Sequence, residues 1–169
     1  MRLGRKIIQD LAKSIDRMDR RILARYQHDT RRIAASIGSE VGLSAAAVQR
    51  RIKRLRACGA IRAEVAILDL RAVGVLITCI VLLTMVSRAG PVKHLVKFKR
   101  DMTKLPEVQQ CYQVTGTSDI VLVVTVPSME DYGAFAREWF ESNDNVMRYE
   151  TLVVLDRVKV GVSLPVATD

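Results

Sequence analysis

Residues 33–61 read IAASIGSEVGLSAAAVQRRIKRLRACGAI, and how this stretch folds determines what the rest of the chain serves. A short apolar helix is predicted over about 34–41. Gly42 breaks it, since only glycine enters positive φ without a steric penalty. Leu43 is placed to plug the corner. Ser44 is a good N-cap for a second helix, its side-chain oxygen accepting a backbone N–H. Residues 45–58 contain neither proline nor glycine, and Gly59 supplies the stop. Val48, Ile52 and Leu55 stand four and three apart and share an inward face. Ala45, Ala46, Gln49, Arg50 and Lys53 fall largely on the other side. Small residues at the helix start allow close approach to a groove. Gln and Arg suit base edges, and Lys and Arg suit phosphates. The pattern is that of a helix-turn-helix with the recognition helix second. A plain helical hairpin with a solvated charged face would read alike over this stretch alone.

Charge separates those two readings. Residues 1–62 carry 16 Lys and Arg against 5 Asp and Glu, a net +11, whereas residues 63–169 carry 11 against 13, a net −2. The positive excess therefore sits with the helix-turn-helix candidate, as phosphate neutralisation requires. A membrane-surface patch would show the same asymmetry, but the basic segment lacks a broad aromatic-rich apolar face. Hydrophobic residues make up 49% of the chain, enough for a packed core rather than a disordered polymer. Cys58, Cys79 and Cys111 are odd in number and far apart, which suits a reducing cytoplasm. His28 and His94 have no partners at ligand spacing, so no metal is expected. No apolar signal core follows the N-terminus. Residues 72–86 are apolar but contain Thr78 and Thr84 and fall short of the about 20 residues a spanning helix needs. A buried strand is the better reading.

Along the chain, the basic residues 1–13 are either a frayed leader or an extra helix. Ile15, Met18, Ile22 and Tyr26, with Leu23 beside them, mark a first helix that Ser14 or Asp16 can cap. Residues 60–70 suggest a strand or an extended linker. The second half changes period. Residues 73–86 read as a buried strand. Gly90-Pro91 starts a helix with Leu95, Phe98, Met102 and Leu105 on one face, and Pro106 ends it. Val108, Gln110, Tyr112 and Val114 alternate with Gln109, Cys111 and Gln113 as in a strand. A turn at 116–118 leads to a strand over 119–126. Ser128 and Asp131 resemble a capping box before a helix with Met129, Tyr132, Ala136 and Trp139 on its face. Residues 147–160 form a long last strand, and the tail after Gly161 is expected to be loose. The order β-α-β-β-α-β is the ferredoxin-like arrangement. Its open sheet face is apolar and wants a second copy as cover, which predicts a homodimer at least.

Four stretches together resemble the Lrp/AsnC family of prokaryotic transcription regulators, the feast/famine regulators. IDRMDRRIL at 15–23 is similar to the family's LDxxDxxIL opening. Residues 41–44, VGLS, with VQRRIKRL at 48–55, resemble its recognition segment. Residues 59–61, GAI, match the G-x-I that follows, and VTGTSD at 114–119 resembles the xGxxD turn of its effector domain. The resemblance covers about 14–160. It implies an α+β chain with an N-terminal three-helix (winged) helix-turn-helix domain over 1–62, a linker or strand over 63–72, a ferredoxin-like βαββαβ domain for effector sensing and oligomerisation over 73–160, and a tail over 161–169. DNA contacts are expected from Ser44, Ala45, Ala46, Gln49 and Arg50, with Arg51, Lys53 and Arg54 divided between phosphate contacts and packing stems.

The same resemblance implies dimers assembling to an octamer. It also implies an amino acid or similar effector bound between dimers, near Gly116, Thr117, Ser118 and Asp119, with Met129, Thr151 and Leu152 contributing. Departures are visible. The middle of the turn is Thr117-Ser118 where acidic or aromatic residues are common. Leu152 stands where some members carry tyrosine. The first helix of the motif, with Ala34, Ala35, Ser36 and Gly38, is poor in charge, and the basic leader is long. Asp119 can anchor a ligand's ammonium group or cap its own turn. Trp139 reads as core rather than as a stacking platform, and Cys79 and Cys111 as buried strand residues without a base to activate them. No nucleophile–base pair, metal cluster or phosphate loop argues for an enzyme, and no cofactor is expected. The main reading is a sequence-specific regulator of double-stranded DNA that responds to an amino acid. The alternative is an architectural, nucleoid-type protein without an effector.

Overall fold

The computed structural model of the chain describes residues 15–75, 77–86 and 93–168. The leader, a cap from Ser14 and a helix start at Gly90-Pro91 lie outside the described residues. Two compact units emerge, one holding residues up to Ala66 together with those from Val160 onward, the other spanning Ile67–Lys159.

The first unit is built on three helices: α1 (Arg17–Tyr26), α2 (Ala34–Val41) and α3 (Ala45–Ala57). Helix α1 opens with a reciprocal capping box. Asp16 accepts the Asp19 N–H at 2.8 Å, and the Asp19 carboxylate accepts the Asp16 N–H at 3.0 Å. Ile22, Tyr26, Ile37, Val41, Val48 and Ile52 form the core, with Met18, Ala34, Leu43 and Ile61 against it. Two glycines make the α2–α3 corner. Gly42 takes φ +76, and a side chain on Gly38 would stand 2.4 Å from the Leu43 carbonyl oxygen. The corner closes on hydrogen bonds from the Gly42 and Leu43 N–H groups to the Gly38 carbonyl. The expected wing is not seen. Residues 62–69 are exposed and run without strand structure, because nothing described in the chain offers them a ladder partner. The tail departs from the expected looseness: Gln27 exchanges two 2.9 Å hydrogen bonds with the Leu164 backbone.

The second unit follows the predicted order: β1 (Ile77–Met85), α4 (Lys93–Met102), β2 (Val108–Gln113), β3 (Ile120–Val126), α5 (Met129–Ala136) and β4 (Val146–Val153). The sheet is antiparallel in the order β2-β3-β1-β4. One face, with Cys79, Val81, Leu83, Ile120, Leu122 and Val124, packs under Phe98, Met102, Tyr132, Phe135 and Phe140. Alternation along the paired strands puts Ile80, Leu82, Val121, Val123, Tyr112 and Leu152 on the other face. Tyr112 and Leu152 there are about half exposed.

Four expectations need correction. Strand β1 starts at Ile77 rather than 73, because the Asp69 carboxylate caps the Arg71 and Ala72 N–H groups and turns the chain there. Strand β4 stops at Val153, where β1 runs out as a partner after the Val154 N–H to Thr78 carbonyl bond. In β2 the register slips at Gln109. The extra residue puts both Val108 and Cys111 against the core and Gln110 and Tyr112 outside. Finally, α5 passes into a π-helical turn over Arg137–Glu141. Its wider turn brings Phe140 into the core, 1% exposed, while Met129 stays 48% exposed.

Candidate functional site

The recognition helix α3 is fixed from both ends and from behind. The Ser44 hydroxyl accepts the Ala47 N–H at 3.2 Å, and Val48, Ile52 and Leu55 are buried. Ser44, Ala46, Gln49, Arg50 and Lys53 are exposed and Ala45 is half-buried. The helix carries five basic side chains, and they divide sharply. Arg51 reaches back to α1, donating to Asp16 at 2.7 Å and to Asp19 at 2.8 Å. Arg54 also donates to Asp19, whose side chain is fully buried. Arg56 donates to Glu64 at 2.7 Å and to the Tyr26 hydroxyl at 2.8 Å. Arg50 and Lys53 make no ion pair among the described residues. The Arg51 hydrogen bond holds the Asp16 carboxyl below its usual range, and the Asp16 bond in turn raises Arg51. The outer face of α3 thus offers Gln49, Arg50 and Lys53, while Arg51 and Arg54 are turned onto acids. The sequence reading used Asp16 as a cap and missed its second role and that of Asp19. The signal was present in two acids three apart, on a helix that must pack against an arginine-rich one.

The seven residues expected around an effector do not converge within one chain. Residues 116–119 lie just before β3, at the sheet end where β1 finishes. Asp119 accepts the Met85 N–H at 2.7 Å, donates its own N–H to the Leu83 carbonyl, and accepts Val114 through its backbone. Its carboxylate therefore already serves the sheet. The Thr84 hydroxyl donates to the Thr117 carbonyl at 3.3 Å. Met129 opens α5 beyond the opposite end of β3, seven residues or roughly 20 Å along the strand. Thr151 and Leu152 sit between, opposite Val81 and Ile80. Their side chains part: Thr151 hydrogen-bonds Tyr132 under the helices, and Leu152 lies on the open face. A cleft of about 360 Å³ lined by His94, Phe98, Glu138 and Trp139, and one of about 390 Å³ lined by Asp69, Arg71 and Asp156, include none of the seven. Cys79 is buried and Cys111 half-buried, and burial pushes both thiols up. Neither is poised as a nucleophile.

Residues 15–56 match the AsnC-type helix-turn-helix domain, and residues 78–164 match the Lrp/AsnC ligand binding domain. The chain belongs to the Lrp/AsnC family. It is 37% identical over 163 residues to y4tD of Sinorhizobium fredii, an uncharacterized HTH-type transcriptional regulator, covering 96% of this chain and 95% of that one. An AsnC family transcriptional regulator from Agrobacterium tumefaciens is similar in structure, with a TM-score of 0.80 at 30% identity, covering 89% of this chain and 96% of that one. A transcriptional regulator from Neisseria meningitidis, solved as an L-Met complex, gives 0.80 at 26% identity with the same coverage. This Lrp/AsnC chain is thus a DNA-binding transcription regulator: its first unit is the helix-turn-helix module and its second has the fold of the family's ligand-binding domain. Among the described residues no helix is long and apolar enough to cross a membrane.

Proposed function

We propose that this Lrp/AsnC regulator works in the cytoplasm as a homodimer that assembles further, toward an octamer, and that an amino acid bound between its C-terminal domains adjusts its hold on a specific operator. Gln49 and Arg50 read base edges from the outer face of α3, with Ser44, Ala45 and Ala46 allowing close approach and Lys53 meeting phosphate. Arg51 and Arg54 act chiefly as stems that seat the helix. A second copy covers the sheet face bearing Ile80, Leu82, Val121 and Val123, and the operator is then a pseudo-palindrome. The effector is held by residues 116–119 of one chain with Met129, Thr151 and Leu152 of another.

The observation that carries the effector reading is the separation of those seven residues within a single chain. A site that uses them all must draw on more than one copy, so its ligand senses assembly. The L-Met found in the Neisseria regulator makes an amino acid the first ligand class to try. The test is a thermal-shift screen of the full chain against the amino acids, with light scattering on each hit. A selective ligand raises the melting temperature by mass action and changes the assembly. If none does either, the architectural reading gains, and it already has the net +11 of the first 62 residues in its favour.

A further inference from the structure

Resting on that reading of α3, we propose that Asp19 is a specificity-determining positioning residue: it withholds Arg51 and Arg54 from phosphate and so leaves base-reading side chains to decide affinity. Three observations converge on it. Asp19 is an ionisable residue with a fully buried side chain, a placement tolerated only when the charge is paired and hydrogen-bonded. Its partners are two guanidiniums of the recognition helix, Arg51 at 2.8 Å and Arg54. Its neighbour Asp16 takes the same Arg51 nitrogen at 2.7 Å and the Asp19 N–H at 2.8 Å. Two carboxylates and two guanidiniums therefore cancel at the back of α3.

A buried ion pair is seldom more stabilising than apolar residues of similar volume, so stability alone gives little reason for this cluster. Its consequence for DNA is direct. An arginine free to reach a phosphate strengthens binding without reading sequence, and it adds most on random DNA, where no base contacts already fix the register of the helix. Pairing two of them to acids trims that indiscriminate part while leaving Gln49 and Arg50 at the groove. A helix dense in arginine is thereby kept from binding any duplex it meets.

The test uses the full chain, a random-sequence duplex, and a duplex that the wild type selects from a random pool, each titrated over a range of salt. Asp19→Asn keeps the shape and removes the charge. It is expected to bind the random duplex several-fold more tightly at low salt and to steepen its log–log salt slope by about 1–2, at about 0.9 per new phosphate contact. The ratio of selected to random affinity should fall by about that same several-fold factor, and an equal gain on both duplexes would overturn the specificity role. Parallel losses on both duplexes with an unchanged slope would reduce Asp19 to a structural residue and overturn the proposal. Should Asp19→Asn not fold, Arg54→Gln decides the matter, since Arg51 still pairs Asp19 there. An unchanged slope supports the proposal, and a slope shallower by about 0.9 shows Arg54 on phosphate and overturns it. A wild type that selects no sequence would defeat the specific-regulator reading, while the random-duplex slopes would still decide the role of Asp19.

Discussion

Arg50 and Arg51 are adjacent in the sequence and opposite in surroundings. Arg50 is exposed, while Arg51 is bound to Asp16 and Asp19. Arg50→Ala should therefore cost about 1–3 kcal/mol at the specific site and much less on random DNA, measured by competition at fixed salt. Asp119 carries a comparable distinction. Its carboxylate accepts the Met85 N–H, so Asp119→Ala should destabilise the second unit by about 1–3 kcal/mol even without ligand, as read by thermal melting. Thr117 and Ser118 are then the cleaner probes of an effector. Tyr149 gives a test in pH. Its hydroxyl donates to Glu141 at 2.7 Å, and that bond to a carboxylate, with burial and the charge of Glu141, pushes the phenol up to about 12. A raised value favours the protonated form in the fold. The stabilisation is full below the ordinary tyrosine range near 10 and is lost as pH rises through about 12. Ultraviolet titration should show a late-ionising tyrosine that Tyr149→Phe removes. At this scale the sequence was readable where a residue's own chemistry decides, as at Ser44 and Gly42. It was not readable where a partner on another element decides, as for Arg51, Arg54 and Asp119.

The α2–α3 corner shows how an element is fixed by close approach. Gly38 lies inside α2, where glycine is normally unfavourable, and the Leu43 carbonyl fills the space where a side chain would stand. Gly38→Ala should raise helix propensity and still destabilise the first unit, by about 1–3 kcal/mol from overpacking, with the melting temperature as readout. The boundaries of α2 were legible to the residue, because Gly42 and Ser44 punctuate locally. Strand ends were less so. Strand β1 begins late because Asp69 turns the chain, and β4 ends early because its partner does. The slip at Gln109 and the π turn over Arg137–Glu141 each add a residue to a period. Extrapolation from one side of such an insertion therefore misplaces the other: simple alternation grouped Val108 with Tyr112, yet Val108 packs on the core and Tyr112 is half exposed.

At the scale of the whole molecule, charge and shape divide the labour. The positive excess lies in the first 62 residues, and the second unit leaves an apolar sheet face open. The β-α-β-β-α-β order was legible throughout, because it follows from alternation and punctuation along the chain. The proposed effector residues were marked only by a motif, since they are spread over both ends of one sheet. Coupling between the units is the core of the account, and a ligand contacting two copies acts only through its differential affinity for their assemblies. The most direct measurement is the affinity of the full chain for its selected operator, at fixed salt, alone and with each amino acid in turn. At least one amino acid is expected to change that affinity by about 5–150-fold, the span of a coupling of about 1–3 kcal/mol. An operator affinity that no amino acid moves would contradict it.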